Sequence, residues 1–261
     1  MRNFETIIFE KQEAIAKITL NRPDAANGLN SQMGDELNQA ARLCDSDPEL
    51  KVVILTAVGR FFCAGGDLKE FADMGDMTQP CLKSLADNLH SAISTFSRMD
   101  AALIVAVNGI AAGGGFSLAL AGDIVLAAES ASFTMAYTRA GLSPDGSSSY
   151  FLPRLVGLRK AQELMLTNNN LSAKEALEIG LITYAVADAE LEQQTGLVAV
   201  ELTSSAQQSI AYVKKLLLSS FDNGLETQME YEGRYVSQCA ASSDGQEGIQ
   251  AFIEKRPAVF K

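Results

Sequence analysis

The chain reads as a mixed α/β protein, on three observations. Apolar runs at residues 52–57, 103–107 and 123–128 have the length and β-branched content of buried strands. Helical periodicity separates them, over residues 31–43 and 81–99. Strands that alternate with helices imply parallel pairing through right-handed crossovers. The third observation is a pair of small-residue segments, FFCAGGDL (61–68) and NGIAAGGGFSLAL (108–120), which follow the first two of these strands.

Taken in order, residues 4–9 and 14–20 read as strands joined by a turn at 11–13, an antiparallel edge. NRPDAANGLN (21–30) is a loop of turn formers, and Ser31 is expected to cap a helix running to about Leu43. The segment MGDMTQP (74–80) reads as a mobile connection ahead of the helix at 81–99. A short helix through Leu120 follows the second glycine-rich turn. SPDGSSS (143–149) is a turn before a helix through about Leu155, and Ser172 opens another helix that ends at Gly180. A last strand signal lies near 182–186, and from Glu190 the chain reads as helices alone. The expected organisation is a core over residues 1–195 and a helical oligomerisation region over 196–261.

Composition narrows the function classes. With 261 residues, 47% of them hydrophobic, the chain can bury a full α/β core. A net charge of -11 and a pI near 4.6 argue against nucleic acid or an anionic membrane as partner, so a polyphosphate ligand would need local basic residues. Cys44, Cys63, Cys81 and Cys239 show no Cys-x-x-Cys spacing, and His90 is the single histidine, so no metal set is expected. Reduced cysteines, an N-terminus without a signal-peptide pattern and no long apolar run predict a cytoplasmic protein.

The glycine-rich turns carry the chemistry. Without a Cβ, backbone N–H groups can approach a ligand, and two such turns could aim two donors at one oxygen. That is the geometry of an oxyanion hole, in which loss of one donor costs roughly 10²–10³ in rate.

NRPDAANGLN, GRFFCAGGDLKEF, AVNGIAAGGGFSLALAGDIVLAAESASF, LPRLVG, LTNNNLSAKEALEIGLI and AFIEKRPAVFK follow one another in the order of the enoyl-CoA hydratase/isomerase (crotonase) superfamily, which the whole chain resembles. The resemblance implies a spiral of ββα units with a C-terminal helical trimerisation region, assembled as a homotrimer or a dimer of trimers. It implies an acyl-CoA substrate, with coenzyme A present as part of the thioester and no permanently bound cofactor. By position, Gly66 and Gly114 would be the oxyanion donors. Arg22, Ala25, Ala26, Ala64, Gly66, Asp67 and Leu68 would contact CoA, with Phe252 and Lys255 of a neighbouring subunit at the nucleotide end. Ala26 departs from the basic residue often found near that position.

The acid and base positions depart further. Hydratases of the superfamily use two glutamates, and this chain has Ser117 and Tyr137 there. Neither is a carboxylate, and an ordinary tyrosine titrates near pH 10, which disfavours two-glutamate hydration. Asp145 stands where one branch carries its catalytic aspartate, and FTMAYTRAGLSPDGSSSYFLPRLVG is similar to ring-1,2-epoxyphenylacetyl-CoA isomerases and Δ3,Δ2-enoyl-CoA isomerases. A single carboxylate suffices to move a double bond, because no water is consumed. His90, Ser117 and Tyr137 would then shape the acyl pocket. Two alternatives remain at this level. One is a hydrolytic enzyme that uses Asp145 and His90, either enoyl-CoA hydratase-like or similar to 4-chlorobenzoyl-CoA dehalogenase, whose histidine and nucleophile these residues match although Leu89 and Tyr137 replace its tryptophans. A catalytically silent acyl-CoA-binding protein is the other.

Overall fold

The computed structural model describes residues 4–260. Strands β1 (Ile7–Gln12) and β2 (Ile15–Leu20) form an antiparallel hairpin, and helix α1 (Ser31–Asp45) leads to β3 (Val52–Ala57). Next come the three-residue β4 (Phe61–Cys63), α2 (Leu68–Asp73) and the long α3 (Thr78–Arg98). The same step recurs in β5 (Ala102–Val107), β6 (Ile110–Ala112) and α4 (Gly114–Ala119), and again in β7 (Ile124–Ala128) and β8 (Ser132–Thr134). Helices α5 (Ser148–Val156) and α6 (Leu158–Thr167), β9 (Leu171–Ser172), α7 (Ala173–Glu178) and β10 (Tyr184–Val186) follow, before α8 (Leu191–Thr203), α9 (Gln207–Ser219), α10 (Leu225–Ala241) and α11 (Ser243–Glu254).

The strands divide between two sheets. One has the order β1-β2-β3-β5-β7-β10, parallel from β2 onward, and the other has the order β4-β6-β8-β9. Each ββα unit therefore places its first strand in the large sheet and its second in the small one, then returns by helix, which is the spiral that the resemblance implied. Tight corners make the step possible. At Gly109 a Cβ would sit 2.0 Å from the Arg60 carbonyl oxygen, so only glycine fits between β5 and β6. Phe62, Phe96, Phe116 and Phe133 are buried in the core, with Phe116 and Phe133 edge to face at 5.9 Å.

Local physics corrects three expectations. Asn30, not Ser31, caps α1: its side chain accepts from the Met33 N–H, and Ser31 is the first helical residue. The segment at 74–80 is helical rather than a loose connection, with a 3₁₀ turn at Gly75–Met77 and Pro80 inside the first turn of α3. Proline costs no hydrogen bond there, because first-turn N–H groups lack intrahelical acceptors. The glycine-rich segments also begin as strands, β4 and β6, before they turn.

Helix α8 packs on β3, β5 and β7 and runs through residue 195, so cover for the large sheet continues to Thr203. Beyond it, Lys214 anchors α9. Its buried ammonium donates to the Phe96 and Ala101 carbonyls at 3.0 and 2.6 Å and lies 2.7 Å from Asp123. No helix among the described residues is long and apolar enough to cross a membrane.

Candidate active site

Two loops come together at the C-terminal end of β4. The Ala64 N–H donates to Ala26 O at 3.0 Å, Leu29 N–H to Gly65 O at 2.7 Å, and Asp67 N–H to Leu29 O at 2.9 Å. The Arg22 guanidinium closes the join with a 2.9 Å ion pair to Asp67. Burial pushes the Asp67 carboxyl up, but the Arg22 hydrogen bond, the α2 N-terminal N–H groups and the Arg22 charge outweigh it and hold the group below its ordinary value. Asn27, fully buried in the first loop, donates to the Val58 and Phe61 carbonyls and accepts from the Arg22 N–H. Sequence reasoning missed this brace, although an asparagine before glycine in a turn is the signal that could have found it.

The second glycine turn abuts the first. A Cβ on Gly65 would lie 3.0 Å from Ala112 O and 3.4 Å from the Gly114 nitrogen, and Gly65 has a φ of +98°. Gly115 is tighter still, since its Cβ would meet Cys63 O at 2.1 Å. The absence of side chains thus sets the approach of α4 to β4. Gly66 and Gly114 line the same cavity, and neither N–H donates to an acceptor among the described residues.

That cavity has a volume of about 620 Å³. Leu29 from the first loop, Phe71 of α2, and Leu82, Leu85, Ala86 and Leu89 of α3 give it apolar walls. Tyr137 and Asp145 bring polar groups to it. Leu29 and Phe71 were not foreseen, because an isolated apolar residue in a loop or short helix carries no periodicity.

Asp145 stands in the turn before α5. Gly146, at φ +59°, lets that turn lie against α4, where a Cβ would meet Ser117 Cβ at 2.8 Å. The Tyr137 hydroxyl donates to Asp145 Oδ1 at 2.6 Å, and Ser117 Oγ lies 2.9 Å from that hydroxyl. On the other side, the Gly146 N–H donates to His90 Nε2 at 3.1 Å, which leaves the neutral ring proton on Nδ1. His90 Nε2 faces Asp145 Oδ2 at 3.6 Å, beyond hydrogen-bond length, and Oδ2 has no hydrogen bond among the described residues. Burial first, then the charge of Asp145 and the bond to its carboxylate, push the Tyr137 phenol far above its ordinary value.

Of the residues expected at the acyl pocket, only Tyr137 lines the cavity. Ser117 is fully buried behind it, and His90 lies one step around α3 from Leu89, half-exposed beside Asp145. Of the residues expected at CoA, Ala64, Gly66 and Leu68 line the cavity, while Arg22, Ala26 and Asp67 brace the loops and Ala25 is exposed on the first of them. Phe252 is 84% exposed on α11, and neither it nor Lys255 lines the cavity of its own chain.

The comparisons with known proteins agree with this architecture. The model of the family described as enoyl-CoA hydratase/isomerase matches residues 10–261. The chain belongs to that family. It is 39% identical over 258 residues to the "probable enoyl-CoA hydratase" of Rhodobacter capsulatus, covering 99% of this chain and 98% of that one. It is 34% identical over 257 residues to the 1,2-epoxyphenylacetyl-CoA isomerase of Escherichia coli, with 98% of each chain covered. A crystal structure of enoyl-CoA hydratase from Bacillus anthracis superposes with a TM-score of 0.92 at 32% identity, covering 98% of this chain and 99% of that one. As a member of the family, the protein has the crotonase fold, with its C-terminal helices in place.

Proposed function

We propose that this family member is an acyl-CoA isomerase. The thioester oxygen accepts hydrogen bonds from the Gly66 and Gly114 N–H groups, so the charge that develops on removal of the α-proton falls on preorganised donors. Asp145 takes that proton and returns it to the γ-carbon. The α-C–H bond breaks, a γ-C–H bond forms, and the double bond moves from β,γ to α,β with no net consumption of water. CoA itself lies along Arg22, Ala25, Ala26, Ala64, Asp67 and Leu68, without any further cofactor. Exposed apolar side chains on the C-terminal helices, among them Leu217, Leu225 and Phe252, favour self-association, as a homotrimer or a dimer of trimers in which a neighbour's Phe252 and Lys255 reach the nucleotide.

The observation that carries this reading is Asp145. Asp145 lines the cavity that Gly66 and Gly114 also line, with Oδ2 free of hydrogen bonds among the described residues, while Ser117 and Tyr137 leave no carboxylate at the two hydratase positions. Incubation with a 3-enoyl-CoA should yield the 2-enoyl-CoA. Asp145→Asn should abolish that conversion while thioester binding persists, and undiminished turnover by this variant refutes the reading. The 3.6 Å approach of His90 to Asp145 favours one second reading, nucleophilic attack by Asp145 on an aromatic acyl-CoA with His90 activating water. Chloride release from 4-chlorobenzoyl-CoA that requires both residues would establish it.

A further inference from the structure

A carboxylate base has two equivalent oxygens and a soft terminal torsion, so a free Asp145 could present either oxygen in a range of orientations. The structure removes that equivalence. We propose that Tyr137, held in turn by Ser117, is a positioning residue that fixes Oδ1 of Asp145 and leaves Oδ2 as the oxygen that exchanges protons with the substrate. The proposal rests on Asp145 being the base.

The direction of the chain of hydrogen bonds follows from proton counting. A phenol carries one proton, and the 2.6 Å contact assigns it to Asp145 Oδ1, which as a carboxylate oxygen can only accept. The Ser117 proton is therefore the one available for the 2.9 Å contact with the Tyr137 oxygen. Its other acceptor, Gly113 O, is farther away at 3.3 Å. Order runs from Ser117 to Tyr137 to Asp145. Ser117 is 0% exposed and Tyr137 9% exposed, so bulk water does not compete for these bonds. The same burial, with the Asp145 charge beside it, pushes the phenol up and favours its protonated, donating form.

The arrangement suits a proton shuttle. When Oδ2 receives the α-proton, Oδ1 becomes the carbonyl oxygen of the acid and still accepts from Tyr137. Neither transfer breaks a bond in the chain, so both proceed without reorganisation of the support. The chain also starts on α4, where the Ser117 N–H bonds Gly113 O, and Gly114 is the first residue of that helix. One six-residue helix thus carries an oxyanion donor and the first link to the base, which ties the two in register.

Tyr137→Phe keeps the ring and removes the hydroxyl, and Ser117→Ala removes the first link. With a 3-enoyl-CoA deuterated at the α-carbon, the wild-type protein should carry part of the label to the γ-carbon. Tyr137→Phe should lower kcat about 10- to 100-fold, the scale of a misaligned reacting group, with KM little changed. It should also lower the fraction of label retained, because a carboxylate free to rotate exchanges with solvent before it returns the proton. Ser117→Ala should move both quantities the same way by a smaller factor. Unchanged kcat and retention in a folded Tyr137→Phe protein overturns the positioning role, even if Asp145→Asn is inactive. An active Asp145→Asn protein instead overturns the isomerase reading on which the role rests.

Discussion

Gly115→Ala tests whether the backbone contact between α4 and β4 sets the oxyanion geometry. The new Cβ would lie 2.1 Å from Cys63 O and 2.8 Å from Cys63 C, where real Cβ atoms do not approach within 3.0 Å. Relief requires α4 to move away from β4 by at least ~0.9 Å, the shortfall of the 2.1 Å contact from 3.0 Å, since no side-chain rotation can displace a carbonyl. Gly114, the adjacent residue, would move with it, and its N–H would shift relative to that of Gly66. A displacement of this size is expected to cost about 10²-fold in kcat. Overpacking should also destabilise the fold by about 1–3 kcal/mol. The assay is isomerisation of a 3-enoyl-CoA well below the variant's Tm, with the folded fraction checked by circular dichroism. Gly196→Ala is the control: this glycine of α8 has nothing within 4 Å of its would-be Cβ, so the substitution should leave kcat intact and add about 0.5–1 kcal/mol through helix propensity. Wild-type kcat in folded Gly115→Ala would show that the contact does not govern the donors.

Two further outcomes follow from groups outside the cavity. Lys214→Met leaves Asp123, two carbonyls and the docking of α9 without their common partner, and should cost about 3 kcal/mol in urea unfolding, the low end for a broken buried pair because only the lysine is buried and the Asp123 side chain is 29% exposed. Recovery of most of that loss in Lys214→Met/Asp123→Asn would trace the cost to the stranded carboxylate, and no recovery would exclude it. Glu36 makes the second outcome pH-dependent. Burial pushes its carboxyl up, but hydrogen bonds from the Thr6 hydroxyl, the Glu5 and Thr6 N–H groups and Gln32 outweigh burial and hold it below the ordinary 4.5. A carboxyl lowered in the folded state adds stability above its unfolded value and loses it as pH falls through the folded one. The stability gap between wild type and Glu36→Gln should therefore narrow below about pH 4.5, and a gap independent of pH would remove Glu36 from the acid response.

The large sheet was legible in the sequence because β3, β5 and β7 are apolar runs long enough to show their character. The small sheet was not. Strands β4, β6 and β8 have three residues each, too few for alternation to register, and two of them open segments whose glycines dominate any local reading. Asn30 and Ser31 are both good cap formers, and only the extended backbone at Asn30 separates them. At the site, composition marks the two glycine-rich turns, while the choice of Gly66 and Gly114 within them comes from the resemblance; both residues line the cavity. The meeting of His90 with the Asp145 turn joins residues 56 positions apart through a helix face; local pattern carries no trace of such a contact, and only the resemblance had paired His90 with Asp145.

The join between the two glycine turns has an evolutionary reading. Its critical spacings involve main-chain atoms on both sides, so the donors survive almost any side-chain exchange elsewhere in the cavity wall. Asp145, Tyr137 and His90, in contrast, are side chains borne on a turn, a short 3₁₀ segment and one helix face. If the two glycine turns hold a thioester as proposed, new chemistry can be written into those few positions while the main-chain join stays as it is.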